Sequence, residues 1–292
     1  MSLANTVKTI VTGIKNGGVV PYLGPGVLKN ITSPNGNEHI PWDSDSLILA
    51  LNNGQPMAPR LMYEFPRAAM NLELKKGRSY VERFLSEVYG EKSWQRSQLH
   101  DWVGELKPHY VIDINRDTQL QTSYQGKPHN LVIGLARVAG QDYRFKLYEY
   151  DGKDYTETSQ FDAKENLPTL FKPMGTPIPE ANFIASDADY VDYITELMGG
   201  FAIPQYLKNY RQQKQYLFLG MSLQRDTERM VLSELIYGAN SCAGWAFIAK
   251  PTDKERRFCD NKKIELIEAD WDVFLGNSAA IETSDKPQKE SA

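Results

Sequence analysis

The chain has 292 residues, 41% hydrophobic and 24% charged, with Lys+Arg 33 against Asp+Glu 37 and a formal net charge of −4. This is the composition of a soluble globular protein, without the basic excess that nucleic-acid binding calls for and without an apolar stretch of membrane-spanning length. Cys242 and Cys259 are the only cysteines, which excludes a disulfide framework and a four-cysteine zinc site. With no signal-peptide pattern at Met1-Ser2-Leu3-Ala4-Asn5, a reducing cytoplasm is the expected location.

Residues 3–16 predict a helix with Val7, Ile10, Val11 and Ile14 on one stripe, stopped by Gly17-Gly18. An apolar strand, Val19-Val20-Pro21-Tyr22-Leu23, then ends at Gly24-Pro25-Gly26. Residues 29–43 read as loop, and 44–107 as mostly helical. Leu61, Met62, Phe65, Ala68 and Ala69 form one stripe there, which Pro66 is expected to kink or break. A buried strand over Tyr110–Ile114 ends at Asn115-Arg116-Asp117. Residues 122–167 alternate polar and apolar positions between turn signals, the pattern of an antiparallel meander.

A short strand at Thr169-Leu170-Phe171 leads into Lys172-Pro173-Met174-Gly175. A helix is expected over Asp187–Met198, with Ser186 as its cap and Asp189 at the third position after it; another covers about 204–213. The last third alternates regularly. Strands at Tyr216-Leu217-Phe218-Leu219, Gly244–Ile248 and Ile264–Ile267 interleave with helices at 226–237 and 252–260, and a closing helical turn falls at 270–275. Such alternation implies right-handed βαβ units and a parallel sheet. The expected fold is therefore α/β, a doubly wound, mostly parallel Rossmann-like sheet. It carries a helical insertion (about 29–107) and a small antiparallel one (118–167) within one domain over 1–275, and 276–292 read as a disordered tail.

Four apolar strands end in small or polar residues, at Gly24, Asn115, Lys172 and Gly220. In an open parallel sheet the carboxyl ends of the strands border the ligand crevice, so four neighbouring parallel strands would surround one site. Glycines let a backbone approach an anionic ligand closely.

The order and composition of these turns resemble the sirtuin (silent information regulator) family, especially its bacterial sirtuin-like branch. Gly24-Pro25-Gly26 is similar to that family's glycine-rich phosphate loop, and Ile40-Pro41-Trp42 resembles its Gly-Ile-Pro-Asp-Phe-Arg segment. Asn115-Arg116-Asp117 matches its Asn-x-Asp signature, and Gly220-Met221-Ser222-Leu223 its Gly-x-Ser-Leu turn. The resemblance implies NAD as cofactor, a binding set of Gly24, Pro25, Gly26, Trp42, Asn115, Asp117, Gly220 and Ser222, and Asn115 as the catalytic residue that orients water or ribose. The implied chemistry is cleavage of the nicotinamide–ribose bond, followed by attack of an acyl-lysine oxygen or of water. The chain departs from the pattern at the catalytic His-Gly pair, which aligns with Met174-Gly175. It departs also at Pro25 and Leu28 in the first loop, at the missing arginine after Trp42, at the absent zinc cysteines, and at Ala249, where an asparagine usually meets the ribose. A thioether has no transferable proton, so Met174 cannot serve as the general base.

Other roles stand beside these. Gly24 and Gly26 suit an ordinary turn, Asn115 could cap a helix over 116–120, Asp117 could brace its turn, and Ser222 could cap the helix that follows. Lys172 is expected to be solvated. His39, His100, His109 and His129 lie away from the strand ends, and no pair of them has metal-ligand spacing, so no metal is expected. Two functions remain open: a sirtuin-like protein that binds NAD or ADP-ribose, with weak hydrolysis or protein deacylation, and a non-catalytic nucleotide sensor or scaffold. The partners expected are a small-molecule nucleotide and a protein or second copy of the chain, with no nucleic acid and no membrane.

Overall fold

The computed structural model describes residues 2–284. Helix α1 (Leu3–Lys15), capped by the Ser2 side chain, buries Val7, Ile10, Val11 and Ile14 as one stripe. Strand β1 (Val19–Leu23) runs into a short 3-10 turn, Pro25–Leu28. Four helices follow, α2 (Ser44–Leu51), α3 (Phe65–Lys76), α4 (Arg78–Ser86) and α5 (Gln98–Leu106), with a π-turn at Glu87–Glu91 between the last two. The stripe expected over Leu61–Ala69 is interrupted at Pro66, where helix α3 begins. This proline lies in the first turn of α3, where a missing N–H costs nothing, and Leu61 and Met62 lie in the turn before.

Next come β2 (Tyr110–Asp113), α6 (Gln119–Ser123), β3 (His129–Gly134), β4 (Phe145–Tyr150), β5 (Tyr155–Thr158) and β6 (Thr169–Lys172). Two-residue strands β7 (Gly175–Thr176) and β8 (Asn182–Phe183) pair with each other alone. The chain then runs through α7 (Asp187–Met198), α8 (Gln205–Tyr210), β9 (Gln215–Leu219), α9 (Asp226–Leu235), β10 (Gly244–Phe247), α10 (Asp253–Lys262), β11 (Ile264–Ile267) and α11 (Trp271–Ser284). The expected capping box of α7 is present, Ser186 on the Asp189 N–H and Asp189 on the Ser186 N–H.

Nine strands form one sheet in the order β11-β10-β9-β1-β2-β6-β3-β4-β5. Every pair from β11 to β3 is parallel, and only β4 and β5 run antiparallel at the edge. Side chains alternate between its faces. Val19, Leu23, Leu217 and Leu219 point into a core shared with α1 to α5; Val20, Tyr22, Tyr216 and Phe218 point into one shared with α7 to α10. Helices on both faces of a mostly parallel sheet are the doubly wound α/β fold that the alternation of elements predicts.

Three segments differ from expectation. The antiparallel segment is present, but it begins later than expected and joins the main sheet. Residues 119–123 are helical, β3 enters the parallel sheet beside β6, and β4–β5 extend its edge. Residues 276–284, expected as tail, continue α11, and the rest of that segment, 285–292, lies outside the described residues. The pair β7–β8 is too short to show a period in sequence. Among the described residues no helix is long and apolar enough to cross a membrane.

Candidate functional site

The strand order reverses at β1: later strands are added on one side through β2 and on the other through β9. Ligand crevices open at such a switch point, outside the carboxyl ends of the strands. There the turns after β1 and β9 interlock. The Gly24 N–H donates to Leu219 O at 2.8 Å and the Gly26 N–H to Gly220 O at 2.8 Å. Gly220 has φ +66°, and a Cβ on it would stand 2.4 Å from the Val27 nitrogen; one on Gly24 would stand 2.6 Å from Gly220 O. Both glycines are thus required by the approach of one turn to the other. The first turn spends its amide groups on the second, and Pro25 has none to offer. By contrast, no hydrogen bond among the described residues takes the N–H of Met221 or Ser222. Trp271 closes the outer side, its indole Nε1–H on Gly26 O at 3.0 Å, next to a Lys29–Asp270 ion pair.

Beneath the turns lies a buried polar network. Asn115 Nδ2 donates to Gly24 O at 3.1 Å and to Asp113 Oδ1 at 2.7 Å. The other Asp113 oxygen accepts from Lys172 Nζ at 2.7 Å, and His100 Nε2 stands 3.6 Å from it. Lys172, Asp113 and His100 are fully buried, so Lys172 is not the solvated side chain expected. Its neighbour across the strands supplies the reason: β2 and β6 pair in register, which brings the ends Asp113 and Lys172 together. Burial alone would raise the Asp113 pKa, but the Lys172 charge and His100 outweigh it and hold the carboxyl well below its ordinary range. Asn115 does not cap a helix. Asp117 braces the turn instead, its Oδ1 accepting the Gln119 N–H at 2.7 Å. Ser222 is exposed and caps nothing, since α9 starts after Arg225.

A cavity of about 480 Å³ opens above these turns. Pro25, Gly26, Trp42, Gly220 and Ser222 line it, as do Met174 and Ala249. Gly24, Asn115 and Asp117 lie behind the lining, and Asn115 and Asp117 are buried. None of the four histidines lines it, and among the described residues no cluster of His, Cys, Asp or Glu could hold a metal ion.

Beside Arg116, the cavity wall holds Glu64, Tyr190 and Glu228, which the sequence did not single out. Arg116 donates to Ile184 O through Nε at 3.0 Å and Nη2 at 2.6 Å, and lies over the Phe65 ring. Thr227 Oγ1 donates to Glu64 Oε1 at 2.8 Å. Burial raises the Glu228 carboxyl to about 8; the Arg225 N–H opposes this, and the nearby Glu64 adds to it. Arg116 alone carried a sequence signal, as the middle residue of Asn115-Arg116-Asp117. Glu64 and Glu228 precede or start helices, where acids are ordinary.

A family model described as a SIR2-like domain matches residues 109–267, from the start of β2 to the end of β11. It takes in the Asn115 turn, Met174, the Gly220 turn and Glu228. No curated protein matches the chain.

Proposed function

The chain belongs to the SIR2-like domain family, and from that premise we propose that it binds NAD or ADP-ribose in the cavity at the carboxyl edge of its sheet. The observation that carries the proposal is the meeting of the Gly24 and Gly220 turns at the switch point, beside a cavity of about 480 Å³. Its size lies in the roughly 300–1,000 Å³ range of small-molecule sites. The residues fit a dinucleotide. The open N–H groups of Met221 and Ser222 suit phosphate oxygens, and the Trp42 ring offers a flat apolar wall. The second turn, more than the first, would hold the phosphates.

Bound NAD supplies an N-glycosidic bond whose leaving group is nicotinamide. We place the chain in the bacterial branch of the family, with Met174 in the position of its histidine. Protein deacylation, which leans most on that base, would be the weaker activity and hydrolysis the more durable one. Asn115 would act from behind the lining, through the carbonyl of Gly24 that it holds. A non-catalytic nucleotide sensor or scaffold in the cytoplasm, working with a protein partner or a second copy of the chain, is the second reading. It is favoured by Met174 on the cavity wall and by the Asn115 amide being already bonded.

Calorimetry with NAD and with ADP-ribose tests binding, and nicotinamide release tests turnover. Asn115→Ala is expected to lower release by about 10²-fold and Met174→His to raise it, each within the span of a positioned acid–base group. Absence of binding by either nucleotide refutes the proposal. Binding without release leaves the sensor.

A further inference from the structure

One carboxylate oxygen at the cavity is buried and unclaimed. Oε2 of Glu228 has no hydrogen-bond partner, and its residue lines the same cavity as Met174. The other acids on the wall are engaged or in solvent. Asp43 accepts the Ser46 N–H at 2.8 Å, Asp270 pairs with Lys29, Glu64 accepts from Thr227, and Asp45 is exposed. No histidine reaches the cavity, and the Asn115 amide nitrogen is already bonded. Glu228 is the third residue of α9, and its Oε2 takes no hydrogen bond from the helix end or from any other described residue.

We propose that Glu228 is a catalytic residue of this cavity, the base that activates water for hydrolysis of the nicotinamide–ribose bond. The inference rests on the nucleotide reading above. Glu228 takes one proton from the water as its oxygen bonds to the anomeric carbon of the ribose. The carbon–nitrogen bond breaks with its electron pair going to nicotinamide. The proton then passes from Glu228 to solvent, so that NAD and water give ADP-ribose, nicotinamide and one proton. The groups around Glu228 suit this work: Glu64 from the start of α3, Tyr22 from β1, Tyr190 from α7, Glu255 from α10 and Arg225 at its own helix start. Burial first, with Glu64 adding to it, raises the carboxyl to about 8, near the pH at which a base works best.

The alternative role for this carboxyl is a helix cap, which Gln fills equally well. Glu228→Gln therefore separates the two. ADP-ribose binding is measured calorimetrically at pH 8 in two buffers of different ionisation enthalpy, and nicotinamide release from pH 6 to 9. The wild type is expected to exchange a proton on binding, and its release to rise with pH through about 8. Glu228→Gln is expected to bind ADP-ribose within about threefold, exchange no proton, and release nicotinamide roughly 10²–10⁴-fold more slowly. Glu228→Asp keeps an ionisable group and is expected to retain the pH-dependent limb. Release by Glu228→Gln equal to wild type at every pH, or a wild type that binds ADP-ribose yet releases no nicotinamide, overturns the assignment. A wild type that binds neither nucleotide removes the reading beneath it.

Discussion

Lys172 has no solvent exposure, and its ammonium stands 2.7 Å from an equally buried Asp113. Removing one partner of such a pair leaves an uncompensated charge in the interior. Lys172→Met is therefore expected to cost about 3–5 kcal/mol of unfolding free energy by urea denaturation, and Lys172→Met with Asp113→Asn less than the two single losses together. The sign with pH follows from the depressed Asp113 pKa. The unfolded carboxyl holds its proton below about 3.9, so the pair's contribution is present above that pH and is lost as pH falls toward the folded value. None of this is local in sequence. Asp113 and Lys172 stand 59 residues apart and meet only because β2 and β6 are neighbours. Asn115 was legible as a strand-end amide, but not that its nitrogen would be spent on Gly24 and Asp113.

Elements whose signals are local were readable from the chain. The stripe of α1 and the capping box of α7 depend on residues within a few positions of one another. The antiparallel edge was readable only as a pattern, because β3 satisfies its period equally well with a parallel neighbour on one side and an antiparallel one on the other. His129 anchors that edge. Its Nδ1 lies 2.8 Å from Lys127 O and its Nε2 2.9 Å from the Tyr155 hydroxyl, among the rings of Tyr124 and Tyr150. Burial lowers its pKa to about 4. Between about 4 and the ordinary 6.5 the unfolded chain binds a proton that the folded one refuses, so stability rises with pH across that window. The wild-type urea midpoint is accordingly expected to fall more between pH 7 and pH 5 than that of His129→Gln. Equal falls would show that another group governs the acid limb.

At the scale of the molecule, the cavity draws its walls from β1, α2, α3, α9 and the loops after β6 and β10. A nucleotide bound there would couple elements from both faces of the sheet, and cooperative unfolding would register it. At a concentration 100 times its Kd, NAD or ADP-ribose is expected to add about 2.7 kcal/mol and raise Tm by roughly 5 °C in a thermal melt. The doubly wound, mostly parallel sheet followed from alternating strands and helices, but neither its strand order nor which acids faced the cavity did. Glu64 and Glu228 come from separate helix starts that only the finished fold sets on one wall. The contact of Trp271 with Gly26 spans 245 residues and binds the latest helix of the fold to its first turn. During synthesis, therefore, the opening turn waits for its outer wall until α11 has emerged. Because α1 and α11 also pack together, folding from the N-terminus cannot finish the site. The cavity is completed last, however early its glycines are made.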